Sequence, residues 1–500
     1  MSGFEDILAG VASAFSIGNL LICLLGVALG TLVGVLPGLG PVGAISMLLP
    51  VTLMMEPTAG LILIAGIYFG GMYGGSTTSI LVNIPGEASS VVTCIDGYKL
   101  AQKGRAGPAL AIAALASFVA GTIGIILLTF LAPTLAGAAI RFGPPEYFAI
   151  VLVGLLVLSR MSDTSIVRSY LMISVGVVLS LIGIDQASGT LRLTFNSPHL
   201  IDGLDFIPII MGLYGMSEVL NAMEASYKKP IKADLRLRNL MPTKEDIKRS
   251  TPAVMRGGFL GFLMGLIPGP SSIISTYAAY KMEKSLSKRP EEFGKGAIEG
   301  VAAPEAANNG ASTGTLVPLL SLGVPFSPLP AILLSAFMIH GVTPGPLMMN
   351  EHPTLFWAVI ASMYIGNVML LVLNLPLVGM WAKVTHMSVN VLMPLVMMFC
   401  IIGAYSVNNN MFDVVVLMVF GVIGYMLRKA KMEPSPLILG IILGPILENT
   451  LNQSALMFQG NMLSFFTRPI SGTLLAIGLL VTFWPLLRKA QRAIMGRKTA

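Results

Sequence analysis

The chain has 500 residues, of which 54% are hydrophobic and only 11% charged, and its formal net charge is +7. Soluble domains carry about 25% charged residues, so this composition excludes a cytosolic enzyme and calls for an all-α polytopic membrane protein. A basic balance would hint at nucleic acid in a soluble protein. Here the Lys and Arg residues lie mostly between apolar runs, where they act as topology signals and imply no nucleic-acid partner.

In chain order, residues 1–15 are weakly amphipathic and acidic, with Glu5 and Asp6, and apolar runs follow at 16–36, 42–55 and 58–73. The first basic residue is Lys99, so no positively charged n-region of a cleavable signal is present. A polar, Gly-rich passage from Gly74 to Gly107 precedes spans near 108–132, 145–160, 166–184 and 205–223. Residues 227–256 are crowded with Lys228, Lys229, Lys232, Arg236, Arg238, Lys244, Lys248, Arg249 and Arg256. Beyond them come runs at 253–267 and 270–282, a charged stretch at Lys281–Lys295 and a polar, broken region at 299–328. The remaining apolar runs lie near 329–346, 354–382, 390–406, 411–428, 435–449 and 470–487. Against the roughly 17–25 residues that cross a bilayer, this makes about 11–14 membrane segments, with hairpins and full spans not separable by hydropathy. Three cysteines and four histidines show no disulfide or metal-ligand spacing.

The charge pattern divides the chain into a first membrane repeat (1–226), a basic cytoplasmic linker (227–256), and a second repeat with C-terminal helices (257–500). The positive-inside rule places the linker in the cytoplasm, along with Arg428, Lys429, Lys431 and the C-terminal Arg488, Lys489, Arg492, Arg497 and Lys498. The absence of basic charge before Lys99 puts the N-terminus outside, so the halves enter the membrane from opposite sides, as inverted repeats do.

The halves share one motif. Gly30-Thr-Leu-Val-Gly34-Val-Leu-Pro37-Gly38-Leu-Gly40 returns as Gly261-Phe-Leu-Met-Gly265-Leu-Ile-Pro268-Gly269-Pro-Ser271, 231 residues later. Pro removes a backbone donor and Gly permits turns, so each copy breaks an apolar helix or forms a re-entrant hairpin. Membrane helices also tolerate plain Pro kinks. Interrupted segments at matching positions of two halves nevertheless point to a transporter's binding site.

A polar motif follows each break. The first runs from Tyr68 through Gly75-Ser76-Thr77-Thr78-Ser79 to Asn83-Ile84-Pro85-Gly86-Glu87. The second runs from Ala303-Pro304-Glu305 through Asn308-Asn309-Gly310-Ala-Ser312-Thr313 to Gly323-Val324-Pro325. Gly followed by Ser and Thr ahead of an apolar run reads as a capped helix start. Two helix N-termini meeting in the membrane would offer about +1 of partial charge and free amides, which suits a carboxylate. The candidate substrate residues are therefore Pro37, Gly38, Gly40, Gly75, Ser76, Thr77, Asn83, Pro268, Gly269, Ser271, Asn308, Asn309, Ser312 and Thr313. Interhelical glue is the alternative role for the Ser, Thr and Asn side chains. A di- or tricarboxylate outweighs these dipoles. Hence a coupling cation, Na+ or H+, is expected at the broken helices, with Gly38, Gly269 and Glu305 as candidates and no other cofactor. Glu56, Glu146, Asp185, Glu218, Asp413 and Glu448 read as interfacial acids. Asp96, Lys99 and Arg105 read as a solvated loop, with Arg105 alternatively pairing an anion.

Gly34-x-x-Pro37-Gly38-x-Gly40, Tyr73-Gly-Gly-Ser76, Asn83-Ile-Pro85-Gly86, Asp96-Gly97-Tyr98…Gly104-Arg105-Ala106 and Ala303-Pro304-Glu305-Ala-Ala-Asn308-Asn309 resemble the large membrane subunit of tripartite tricarboxylate transporters, over nearly the whole chain. The resemblance implies a secondary transporter of the bacterial inner membrane that imports citrate-like or other carboxylates. It also implies a small membrane partner of about four spans and a periplasmic solute-binding protein. Phe326 stands where that family usually has Gly, and Pro270 replaces the Gly expected after the second Pro-Gly. Three other classes fit less well. An intramembrane hydrolase needs paired aspartates or a Ser–His arrangement, a channel does not need two related breaks, and an ATP-driven pump needs a Gly-x-x-x-x-Gly-Lys-Ser/Thr loop that this sequence lacks.

Overall fold

The computed structural model describes residues 2–36, 40–161, 165–185, 187–224, 231, 234–385 and 389–496. Pro37 and Gly38, together with Lys228, Lys229, Lys232, Arg497 and Lys498, lie outside the described residues. The fold is almost wholly α-helical, with one two-residue antiparallel ladder, β1 (Gly183–Ile184) with β2 (Leu191–Arg192).

The chain opens with helices α1 (Ser2–Ala14), α2 (Ile17–Val35), α3 (Gly40–Thr52), α4 (Pro57–Val82), α5 (Val91–Gln102) and α6 (Ala106–Ala139). It continues through α7 (Pro144–Met161), α8 (Ile166–Ser180), α9 (Phe206–Ile210), a π-helical turn at Met211–Met216, α10 (Ser217–Glu224), α11 (Leu237–Leu240), α12 (Lys244–Gly265) and α13 (Ser271–Leu286). Then follow α14 (Glu299–Gly314), α15 (Leu316–Leu322), α16 (Pro328–Ile339), α17 (Met348–Glu351), α18 (Pro353–Asn374), α19 (Val378–Val384), α20 (Val389–Asn408) and α21 (Met411–Lys429). The chain closes on α22 (Ser435–Met457), α23 (Ser464–Thr467) and α24 (Pro469–Gly496). Among the described residues six helices are long and apolar enough to cross a membrane, at 17–35, 57–82, 106–139, 206–224, 353–374 and 411–429. Shorter apolar helices include α3 and α16. Thirteen residues of α3 rise only about 20 Å at ~1.5 Å each, short of a hydrocarbon core ~30 Å thick.

The helices gather into two compact units, each drawing on both halves of the sequence. One comprises Met1–Ala139, Ile207–Ile267 and Ser271–Met426; the other comprises Ile140–Phe206, Pro268–Pro270 and Leu427–Ala500. In the second unit α22 packs on α7 and α8, and α24 packs on α7. Glu146, expected at an interface with solvent, is buried there. Its carboxylate takes the fork of Arg468 at 2.7 and 3.1 Å, because a buried acid needs a partner.

The larger unit is built around two helix pairs that touch backbone to backbone. In the first, Gly26, Gly30 and Gly34 of α2 lie on Gly66, Gly70 and Gly74 of α4, and a Cβ added at Gly30 would fall 2.4 Å from the Ile67 carbonyl oxygen. In the second, Gly257, Gly261 and Gly265 of α12 lie on Ala303, Ala307 and Ala311 of α14, and a Cβ at Gly261 would fall 2.1 Å from the Ala307 oxygen. The α2 glycines are 231 residues from those of α12, and the carbonyls they meet, of Leu63, Ile67 and Gly71 on α4 and of Ala303, Ala307 and Ala311 on α14, are 240 residues apart. Small residues at such spacing let helices approach closely where hydrocarbon gives no hydrophobic drive between them. The repeat seen in the Pro-Gly motif therefore extends to a shared mode of packing.

Both pairs end in an interruption. α2 stops at Leu36, and α3 begins at Gly40 with φ +60°. α12 stops at Leu266, and α13 begins at Ser271 after Gly269 with φ +140°. That region of φ is open to Gly, which explains the residue type at both turns. Later in each half a helix ends on a left-handed residue followed two positions on by Pro: α4 at Asn83 (φ +61°) and α15 at Gly323 (φ +70°).

The structure departs from sequence expectation at three places. Ser76–Ser79 are not a helix start but the interior of α4, and Ser312 and Thr313 close α14. Their hydroxyls cap no free amides, since buried Gly, Ser and Thr are tolerated inside helices that pack tightly. Residues 91–102, read as part of a solvated loop, form α5, with Asp96 fully buried. Finally, residues 244–256 of the expected linker belong to α12. That helix starts at a capping box in which Thr243 and Asp246 satisfy each other's backbone N–H.

Candidate functional site

α4 is buried from Ala59 to Val82 and α14 along its whole length, yet both carry polar side chains. Buried polar groups must find partners, and here they find each other. Glu305 of α14, 1% exposed, is the centre. Its Oε2 accepts from Ser76 Oγ of α4 at 2.6 Å, and its Oε1 accepts from Thr93 Oγ1 of α5 at 2.5 Å. Ser117 Oγ of α6 stands 3.5 Å from Oε2. Four helices thus converge on one carboxylate amid the apolar packing of Ile80, Leu110, Ala113, Ala302 and Ala306.

A second carboxylate lies in the same network. Glu87 Oε1 accepts from Asn308 Nδ2 at 2.7 Å and from Ser89 Oγ, while Ser89 Oγ also stands 2.8 Å from Asn308 Oδ1. Gly75 lies under Glu87, where a Cβ would come 2.9 Å from the Glu87 Cγ. Among the described residues neither Glu305 nor Glu87 forms an ion pair; every donor to them is a neutral hydroxyl or amide. On the other flank Tyr73 Oη donates to Asn367 Oδ1 at 2.6 Å, and Asn367 Nδ2 donates to the Phe118 oxygen and Thr122 Oγ1. Tyr68 Oη donates to the Ser312 carbonyl at 2.8 Å.

The residues singled out from sequence fall into four groups. Ser76, Asn308 and Glu305 share the network, and Gly75 and Thr77 line it. Asn309, Ser312 and Thr313 are buried beside it. Asn309 Nδ2 donates back to the Glu305 carbonyl, and the hydroxyls of Ser312 and Thr313 donate to the carbonyls of Asn308 and Asn309. Gly40, Pro268, Gly269 and Ser271 stand at the interruptions, where Ser271 Oγ bonds the Ile267 carbonyl at 2.9 Å. Asn83 is an exposed helix cap away from the network, and Pro37 and Gly38 lie outside the described residues.

Arg105 is not free for an anion. Its Nη2 donates to both carboxylate oxygens of Asp246, at 2.7 and 2.8 Å. Burial works against the charged form of Asp246, but hydrogen bonds from Arg105 and Thr243 outweigh it and hold the carboxyl below its usual range. Asp96 is likewise structural: Oδ1 accepts the N–H groups of Gly294, Gly296 and Ala297 at 2.6–3.0 Å, and Oδ2 accepts Tyr280 Oη.

Sequence reasoning missed Thr93, Ser117, Asn367 and Asn374 as network or cavity residues. A lone hydroxyl in a helix carries no signal. The two asparagines did: they lie seven residues apart on the apolar span α18, hence on one face.

Broken helices, a buried carboxylate and internal packing symmetry describe a membrane transporter. The chain belongs to the tripartite tricarboxylate transporter TctA family, which it matches over residues 20–439. This is a transporter family, not an enzyme family, and membership makes the chain a tricarboxylate transporter large subunit that works with other subunits. Among curated proteins the chain is 46% identical over 479 residues to an uncharacterized 52.8 kDa protein in the TAR-I ttuC' 3' region of Agrobacterium vitis, covering 96% of this chain and 95% of that one. It is also 46% identical over 227 residues to an uncharacterized protein in the TAR-II ttuC' 3' region of the same organism, covering 45% of this chain and 94% of that one. No solved structure matches the chain.

Proposed function

We propose that this member of the TctA family is the permease of a cation-coupled importer of di- or tricarboxylates in the bacterial inner membrane. It would receive substrate from a periplasmic solute-binding protein and work beside a small membrane subunit of about four spans. The observation that carries this reading is the pair of like-built helix pairs, α2/α4 and α12/α14, each running into an interrupted helix. The starts of α3 and α13, at Gly40 and Ser271, bring the positive ends of two helix dipoles to the interruptions, which is the chemistry a carboxylate needs in a membrane. Pro268 and Gly269, with Pro37 and Gly38, are the substrate-site candidates of the two motifs, and Ser76, Asn308 and Glu305 are the polar groups that serve them. The basic segments at 227–256 and after 428 support a cytoplasmic linker and C-terminus, a periplasmic N-terminus and inverted halves.

The test is uptake into vesicles containing this chain and its companion subunits, with labelled carboxylates and imposed sodium or proton gradients. Accumulation of at least one di- or tricarboxylate that either gradient drives, and that Asn308→Leu abolishes without loss of expression, is the expected outcome. Uptake indifferent to both gradients would remove the coupling, and no uptake of any carboxylate would remove the proposal.

A further inference from the structure

Beside Glu305 the larger unit holds a small, partly open cavity of about 10 Å3, lined by Tyr73, Ser76 and Thr77 of α4, Ser117 of α6, Asn374 of α18 and three apolar residues of α6. That volume holds one water-sized particle and no organic anion. The lining has an uneven chemistry. Ser76 spends its proton on Glu305, and Tyr73 spends its own on Asn367 Oδ1, so each keeps only oxygen lone pairs for any further contact. Asn374, 4% exposed, has its amide nitrogen fixed by the Leu370 carbonyl at 3.0 Å, while its Oδ1 is buried with no hydrogen-bond partner. An orphaned buried carbonyl is costly and demands an occupant.

We propose that this cavity is a sodium site: Asn374 Oδ1 and the hydroxyl oxygens of Ser76, Thr77 and Ser117 are its ligands, and the Glu305 carboxylate behind Ser76 and Ser117 supplies the neutralising charge. Hard oxygen ligands suit a hard cation. A neutral water would satisfy Asn374 but bring no charge, and a carboxylate buried among neutral donors is neutralised either by its own proton or by a cation beside it; Na+ binding separates the two. The site lies within α4, α6, α14 and α18 and not at the interrupted helices where the coupling ion was expected. Its role in transport rests on the importer proposed above; its occupancy does not.

The experiment measures sodium binding to the purified full chain in detergent, by saturable uptake of labelled Na+ and by thermal melting in NaCl, KCl or choline chloride at equal ionic strength. Na+ raises the melting temperature by several degrees over choline, K+ does so less, and labelled Na+ binds saturably. Ser117→Ala and Asn374→Leu each weaken Na+ binding tenfold or more; Ser117→Ala keeps the test decisive if Asn374→Leu fails to fold. Equal melting in all three salts with no saturable binding, or K+ acting as strongly as Na+, overturns the assignment. Vesicle uptake separates the two claims. Na+ binding without uptake of any carboxylate sinks the importer and leaves the site, whereas uptake driven by protons, with no Na+ binding, sinks the site and leaves the importer.

Discussion

The pairs α2/α4 and α12/α14 use the same backbone contact to carry different chemistry. Their small residues correspond by number, with Gly26, Gly30 and Gly34 answered by Gly257, Gly261 and Gly265, and Gly66, Gly70 and Gly74 answered by Ala306, Gly310 and Gly314. The side chains facing the interior do not. By the 240-residue offset of these contacts, the position of Glu305 in α14 is held by Ala65 in α4, and that of Asn308 by Tyr68. Close packing tolerates almost nothing larger than Ala at the contact and so preserves the frame, while the polar positions are free to diverge. A single half therefore supplies the carboxylate, and the other supplies the hydroxyls that bind it.

That comparison can be broken at the frame. Gly30→Val and Gly261→Val each drive a side chain into a facing carbonyl on backbone that cannot retreat, costing about 3 kcal/mol or more. Both variants lose folded, monodisperse protein in size-exclusion chromatography, and a tolerated Val at either site would show that the pairs are not held by backbone contact. Next in size is Asp96→Ala, which leaves three amides and Tyr280 without their acceptor and costs about 3 kcal/mol in thermal or denaturant melting. It acts through α5 and the 294–297 turn and spares the helix pairs.

The chemical difference is sharpened by exchanging the two interior positions. Glu305→Gln keeps the fold but reduces carboxylate uptake tenfold or more, the scale of about 1.4 kcal/mol in a barrier. Tyr68→Phe, at the α4 position that answers Asn308, removes one buried hydroxyl, costs about 1 kcal/mol of stability and leaves uptake intact. The smallest effect is electrostatic. The folded Asp246 carboxyl titrates below its unfolded value, so its stabilisation is present above about pH 4 and is lost as the pH falls through the folded value. With Arg105 partly exposed, the contribution is about 1 kcal/mol. Arg105→Gln should flatten that acid limb of the melting curve while changing little at pH 7.

Much of this frame was legible before the structure. The apolar runs at 16–36, 108–132 and 411–428 became α2, α6 and α21, because hydrophobic length is a local property. The matched glycines at 30, 34, 261 and 265 were visible as spacing, and Glu305 stood out as the acid inside the second polar motif. Misreading Ser76 and Ser312 as caps had a clear cause: Gly-Ser-Thr strings signal helix starts in water, but in tightly packed membrane helices the same small residues lie in the interior. Arg105 and Asp96 were misjudged because their partners, Asp246 and the amides of 294–297, are 141 and about 200 residues away, a distance no local pattern spans.

By itself the sequence determined that this is a helical membrane protein carrying two alike Pro-Gly motifs 231 residues apart, since composition, length and residue type act on neighbours along the chain. Only the tertiary structure decided which polar side chains meet. Hydroxyls from three separate helices turn toward one glutamate, and Asn374 keeps a buried carbonyl oxygen with no hydrogen-bond partner among the described residues, because burial leaves each polar atom dependent on whatever packing brings within about 3 Å.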